Sequence, residues 1–184
     1  MRRIFIGTLV VLTIALINGC ANRKITRVDP SETIDLSGRW NDSDSRLVSE
    51  EMIGDLLTSA WIPRYLKAND KRPVVVVGLV ENKSHEHINS ETFIKDVEKA
   101  IIRDGNIRLV VAGEKRNELR KERAEQQDYA SPETTKKWGK ELGADFILQG
   151  TINSIVDSYK KQKVVTYQID LQLTNIETNE VVWM

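Results

Sequence analysis

Residues 73–111 decide the fold, and they read PVVVVGLVENKSHEHINSETFIKDVEKAIIRDGNIRLVV. The run Val74–Leu79 has no polar residue, and its β-branched side chains are typical of a strand that is buried on both faces. Residues 93–101 carry an apolar stripe at helical spacing, and Asn89 is a candidate N-cap for that helix. Ile107–Val111 is a second apolar run. The segment therefore predicts a strand–helix–strand unit with parallel strands.

The segments on either side extend this unit into a larger sheet. Upstream, apolar residues over 47–57 recur at helical spacing behind candidate caps at 41–43, and we expect this helix to end before Pro63. Downstream, the patterns predict a solvated helix over Glu114–Asp128 and a helix from Ser131 to Gly143 that carries Trp138. They also predict a strand that begins at Phe146–Leu148, a strand with alternating residues over Val165–Thr174 and a last strand over Val181–Trp183.

These elements predict a single α/β (α+β) domain over residues 38–184. We expect a mixed four- to five-stranded sheet with helices packed on it, one βαβ crossover and a C-terminal antiparallel meander. Because the last strand ends one residue before Met184, we also expect polar residues to follow it in the complete protein.

The N-terminus predicts a lipid anchor. Residues 1–19 have two arginines and then an apolar run that is shorter than the roughly 20 residues of a membrane-spanning helix. Leu16–Cys20 reads LINGC and resembles the bacterial lipobox, in which the cysteine is acylated and becomes the mature N-terminus. We predict lipidation at Cys20, with a plain secretory signal as the alternative. Since Ala21 follows instead of an aspartate, we expect the periplasmic face of the outer membrane, with residues 20–37 as a flexible tether.

Composition and motifs exclude most catalytic functions. The 27 basic residues balance 27 acidic residues, which argues against a nucleic-acid partner, and 40% hydrophobic residues are typical of a globular domain. His85 and His87 could supply two zinc ligands of a metal-dependent hydrolase, but the sequence has no third histidine. It also lacks a Gly-x-Ser-x-Gly, dinucleotide or phosphate-loop motif. We therefore expect no enzyme activity, no cofactor, no metal and no small-molecule substrate.

Several ordered motifs resemble a known family. They follow the lipobox along nearly the whole mature chain and comprise DLSGRWNDSDSR (35–46), the valine-rich segment 73–80, NKS (82–84), EHIN (86–89), ETF (91–93), LGAD (142–145), GTI (150–152) and NIETNEVVW (175–183). In this order they resemble the penicillin-binding protein activator LpoB family, whose domain is also similar to the N-terminal domain of the periplasmic protein TolB.

The resemblance implies an outer-membrane lipoprotein that binds a class A penicillin-binding protein and stimulates its peptidoglycan synthesis. The short tether differs from the long proline-rich tether of the enterobacterial members, and it leaves a lipid-anchored envelope scaffold or peptidoglycan-binding module as the alternative. For the contact surface we predict the loop Asn82–Asn89, with Asn82, Lys83 and His87, together with Trp61, because polar loops on a rigid sheet often carry recognition.

Overall fold

A computed structural model describes Asp29, Glu32, Asp35 and residues 37–135 and 141–184 of the chain. Within these residues the secondary structure consists of the helices α1 (Asp42–Thr58), α2 (Trp61–Asn69), α3 (Ser90–Asp104) and α4 (Gly113–Tyr129), and the strands β1 (Val74–Asn82), β2 (Arg108–Val110), β3 (Phe146–Tyr159), β4 (Gln162–Asn175) and β5 (Val181–Trp183). No described helix is long and apolar enough to cross a membrane.

The five strands form one mixed sheet in the order β2-β1-β3-β4-β5. β1 pairs in parallel with both β2 and β3, while β3, β4 and β5 follow one another as an antiparallel meander. Residues 74–77 of β1 are all buried, as a strand covered on both faces requires. The predicted α+β fold class, the parallel strand–helix–strand unit and the C-terminal meander are therefore confirmed.

α3 supplies the centre of the core. Phe93, Val97 and Ile101 are fully buried against the sheet and α1. The Asn89 side chain accepts hydrogen bonds from the first free N–H groups of the helix, and Gly105 ends it at φ +78°, a conformation that favours glycine. The amphipathic stripe read from the sequence is the face that packs inward.

The first helix ends before Pro63 as predicted, but the second helix, which contains this proline, was not predicted. α1 ends at Thr58, and a second helix, α2, starts at Trp61 and includes Pro63 as its third residue. Proline is tolerated there because the N–H groups of a first helical turn have no intrahelical acceptor. The Trp61 indole N–H donates to the Leu56 carbonyl at 2.9 Å and ties the two helices together.

The helix predicted from Ser131 to Gly143 is not formed in the described parts of that segment. Residues 132–134 make a single turn, and residues 141–144 are not helical. Residues 136–140, with Trp138, lie outside the described residues. The predicted solvated helix is confirmed, because α4 has no buried residue along its whole length.

Candidate functional site

The β3–β4 hairpin extends well beyond the rest of the sheet. Its strands pair along their full length, from Phe146 with Asn175 to Tyr159 with Gln162. β1 leaves β3 at Ile152, and β5 pairs with β4 only at Leu173 and Thr174. Residues 153–168, which we call the ribbon, therefore continue as two strands alone. The sequence predicted the start of β3 but not this length.

The ribbon exposes apolar side chains next to a basic tip. Ile155, Tyr159 and Val164 share one face by their cross-strand register and are 61%, 70% and 61% exposed. The connection at the tip is Lys160–Lys161, and the Lys160 ammonium lies 5.2 Å from the centre of the Tyr159 ring. Adjacent exposed apolar side chains with a polar rim are a feature of protein-binding sites. A two-stranded ribbon is also marginally stable alone in water, so a partner that covers it would stabilise it.

The predicted contact loop packs against the base of this ribbon. The Lys83 N–H donates to the Ile152 carbonyl at 2.8 Å, and the His85 N–H donates to Ser154 Oγ at 3.0 Å. The His85 ring also hydrogen-bonds through Nδ1 to Ser154 Oγ at 2.5 Å. The loop therefore packs on the edge of β3 and on the face of the ribbon that carries Ser154 and Tyr167, whereas Ile155, Tyr159 and Val164 lie on the opposite face. We define the loop–ribbon surface as the exposed side chains of both segments: Lys83, His87, Ile155, Asp157, Tyr159, Lys160, Lys161, Lys163 and Val164.

A hydrogen-bond network around Tyr167 holds the loop in place. Tyr167 Oη donates to Glu86 Oε2 at 2.7 Å and accepts from the Trp40 N–H at 3.1 Å. The hydrogen bond from Tyr167 is the main reason that the pKa of Glu86 lies below its usual value, whereas burial and Glu86 raise the pKa of Tyr167. The Trp40 ring packs edge-on against Tyr167 at 5.3 Å between centroids. An ionised carboxylate held in this way orders the loop and is a poor general acid.

The structure divides the predicted contact residues. Lys83 and His87 are exposed, and Lys83 pairs with Glu81 at 3.2 Å. Asn82 is half-buried, and its amide donates to the Glu86 and Ile88 carbonyls, so it shapes the loop from within. The inclusion of Trp61 is wrong, because its ring is only 5% exposed and packs against Phe146 in the core. Cys20 lies outside the described residues.

An assembled metal centre is absent from the described residues. They contain no group of three or more metal-ligating side chains, and the ring of His85 is engaged with Ser154. A cleft of about 840 Å³ lies between α3 and the start of α4, with Ile102 and Leu109 in its lining. Two of its lining residues are the cations Lys95 and Lys115, and Lys95 is paired with Glu98, which raises the pKa of Lys95.

Comparison with known proteins identifies one family. The family model described as peptidoglycan-synthase activator LpoB matches residues 44–184. The LpoB C-terminal domain from Escherichia coli is 17% identical, with a TM-score of 0.41 and coverage of 76% of this chain and 93% of that chain. The LpoB C-terminal domain from Salmonella enterica is also 17% identical, with a TM-score of 0.34 and coverage of 66% and 87%. No curated protein sequence matches the chain closely.

Proposed function

Because this chain belongs to the peptidoglycan-synthase activator LpoB family, we propose that it binds a class A penicillin-binding protein and activates it. The family name describes a regulator of peptidoglycan synthesis that acts on a synthase, and not an enzyme. The class of synthase is our proposal, and so is the surface that the chain uses. The partner is a protein, and the site needs neither a cofactor nor a small-molecule substrate.

The observation that supports this proposal is the loop–ribbon surface. Ile155, Tyr159 and Val164 are exposed on one face of the ribbon beside Asp157, the cross-strand partner of Val164, and Lys160 and Lys161 form the tip next to them. Aromatic and apolar anchors with a charged rim are the usual anatomy of a protein–protein interface. The hydrogen bonds of the loop to Ile152 and Ser154 hold the base of the ribbon in place before binding, which lowers the entropic cost of association.

Activation by such a surface is a shift of conformational equilibrium. A regulator raises the rate of a synthase when it binds the active conformation more tightly than the inactive one. A tenfold preference corresponds to about 1.4 kcal/mol. Contacts of a few side chains are enough for a preference of this size, so the chain needs no catalytic group of its own.

We further propose that Cys20 is lipidated and holds the domain on the periplasmic face of the outer membrane. Multiple acyl chains give stable attachment, since each buried CH₂ contributes about 0.8 kcal/mol. A tether of residues 21–37 would reach at most roughly 60 Å when fully extended. The synthase must therefore extend towards the outer membrane for the two to meet.

The proposal is tested by recovery of partners from envelope extracts. The full lipidated chain, tagged at its C-terminus and solubilised in detergent, should retain one class A synthase of its own organism. A Tyr159→Ser, Val164→Ser double variant should not retain it, and Leu142→Ser, at an exposed leucine outside the loop–ribbon surface, should. Equal recovery with all three proteins, or recovery of no synthase, would contradict the proposal.

Sedimentation with purified peptidoglycan sacculi tests the alternative function. An activator that contacts a protein should remain in the supernatant, whereas a peptidoglycan-binding module should pellet with the sacculi.

A further inference from the structure

The direction of main-chain groups along the hairpin follows from two hydrogen bonds at its base. The Ile152 carbonyl of β3 accepts from Lys83, and the Asn175 N–H of β4 donates to the Glu180 carbonyl, both at 2.8 Å and both away from the hairpin. Main-chain groups alternate in direction along an antiparallel pair. Even-numbered residues of β3 and odd-numbered residues of β4 therefore point their N–H and C=O groups outward.

The outer edge of β4 is open over most of its length. From Gln162 to Gln172 it makes no backbone hydrogen bond on that side with any described residue, because β5 pairs only at Leu173 and Thr174. Eleven residues correspond to roughly 35 Å of strand. The opposite edge of the hairpin differs, because β1 covers β3 up to Ile152 and the loop reaches Ser154.

Apart from Lys163 near the tip, this edge lacks the usual features that prevent strand addition. Residues 164–172 read VVTYQIDLQ and contain no proline and no lysine. The pairing of β3 with β4 shows no bulge. The one charged residue of this stretch, Asp170, accepts hydrogen bonds from the Asn153 and Gln168 side chains. Native sheets normally protect such an edge with lysines, prolines, bulges or a covering segment.

We propose that the outer edge of β4 binds an extended segment of the synthase as an added strand. This inference rests on the proposed function and specifies how the contact is made. Main-chain hydrogen bonds to Val165, Tyr167 and Ile169 would supply affinity, and side-chain pockets would supply specificity. The tip carries three lysines, Lys160, Lys161 and Lys163, and one acidic residue, Asp157. This excess of positive charge favours an acidic residue at that end of the added strand. Val164 calls for an apolar residue beside it, because adjacent strands pair their side chains on each face.

A matched pair of proline variants tests the edge. Val156 and Val165 are cross-strand partners on the same face of the ribbon, and their N–H groups point to opposite edges. Proline is tolerated where the missing N–H faces solvent, so Val165→Pro and Val156→Pro should perturb the free chain similarly. Thermal unfolding of the two variants provides that control.

The binding experiment uses the full lipidated chain and the class A synthase, both in detergent. We expect Val165→Pro to weaken binding roughly tenfold or more, because it removes one main-chain donor and forces the added strand away from β4. Val156→Pro should weaken binding by less than about threefold. In hydrogen exchange of the wild-type complex, the amides of Val165, Tyr167 and Ile169 should become protected on binding, which needs no variant to fold.

The outcomes separate the two proposals. The added strand is overturned if the wild-type chain binds but both proline variants weaken binding equally, or if binding does not protect the β4 amides from exchange. Either result leaves the activator function intact. No binding of any synthase by the wild-type chain overturns both. A free chain that is a dimer with these β4 amides already protected also overturns this inference, because a second copy would then occupy the edge.

Discussion

Replacement of Ile155 and Val164 by threonine should weaken the synthase complex without weakening the fold. Both side chains are 61% exposed, so neither supports the core of the free chain. Threonine is β-branched and retains the preference for a strand. Substitutions at exposed positions of this kind usually change the free energy of unfolding by less than about 0.5 kcal/mol.

The loss of binding can be estimated from the chemistry of the exchange. Val164→Thr replaces a methyl group by a hydroxyl of similar size, and burying a hydroxyl without a partner costs about 1–3 kcal/mol in proteins. Ile155→Thr adds the loss of one methylene, worth about 0.8 kcal/mol. Val164→Thr alone should therefore raise the dissociation constant by roughly 5- to 150-fold and Ile155→Thr by roughly 20- to 600-fold, and the double variant should abolish detectable binding at micromolar concentration.

The assay is a titration of the purified class A synthase with each lipidated variant in detergent. Ile102→Thr is the matched control, because Ile102 is 63% exposed on α3 and lies outside the loop–ribbon surface. It should bind like the wild type. If Ile102→Thr weakens binding as much as the ribbon variants, or if the ribbon variants bind normally while folded, the loop–ribbon surface is not the contact.

Three further predictions concern the fold and the anchor. Asp145→Asn should lower the free energy of unfolding by about 1–3 kcal/mol, because this carboxylate accepts from the Tyr65 hydroxyl at 2.6 Å. Burial alone would raise the pKa of Asp145, but its hydrogen bonds keep it below the ordinary 3.8. The stabilisation is therefore complete above pH 3.8 and disappears as the pH falls through the lowered pKa of Asp145. Over this pH range the free energy of unfolding should fall less in Asp145→Asn than in the wild type. Gly150→Ala should destabilise severely, by about 3 kcal/mol or more in chemical denaturation, because the new Cβ would lie 2.1 Å from the Asp170 carbonyl oxygen. Cys20→Ser should abolish acylation, which mass spectrometry and release of the protein from the membrane fraction would show.

The sequence predicted those helices and strands in which the local hydrophobic pattern matches the burial of the side chains. β1 was readable because its valines are buried on both faces, and α3 because its buried stripe follows the helical period between Asn89 and Gly105. The alternation of β4 was readable because one face of residues 165–174 packs on the core while the other meets solvent.

The errors occur where contacts between residues far apart in the sequence determine the local structure. α2 was missed because Pro63 is a residue that usually ends a helix, and the break between α1 and α2 at Ser59 carries no proline or glycine. Trp61 was named as a contact residue because large amphipathic rings are common binding anchors, whereas contact with Phe146, far away in sequence, buries it in the core. Neither feature leaves a local signal.

The length of the ribbon was also missed, although one signal was present. Residues 153–159 alternate weakly because both faces of the ribbon are partly exposed, so no amphipathic pattern identifies them as a strand. The Lys160–Lys161 connection between two β-branched runs indicates a two-residue hairpin, yet it lacks the Asn-Gly or Asp-Gly pair that usually identifies one. The loop was predicted as a polar segment, whereas Asn82 ends β1 and Ile88 is buried, and the contact of the loop with the ribbon came only from the structure.

The central claim is that this chain activates a peptidoglycan synthase. The most direct test is the rate of glycan polymerisation by each class A synthase of the same organism, reconstituted in detergent with and without the full lipidated chain. We predict a several-fold increase in the rate of one synthase, which saturates with the concentration of the chain and is lost with the Ile155→Thr, Val164→Thr double variant. An unchanged rate for every synthase, with a chain that unfolds cooperatively and is therefore folded, would contradict the claim.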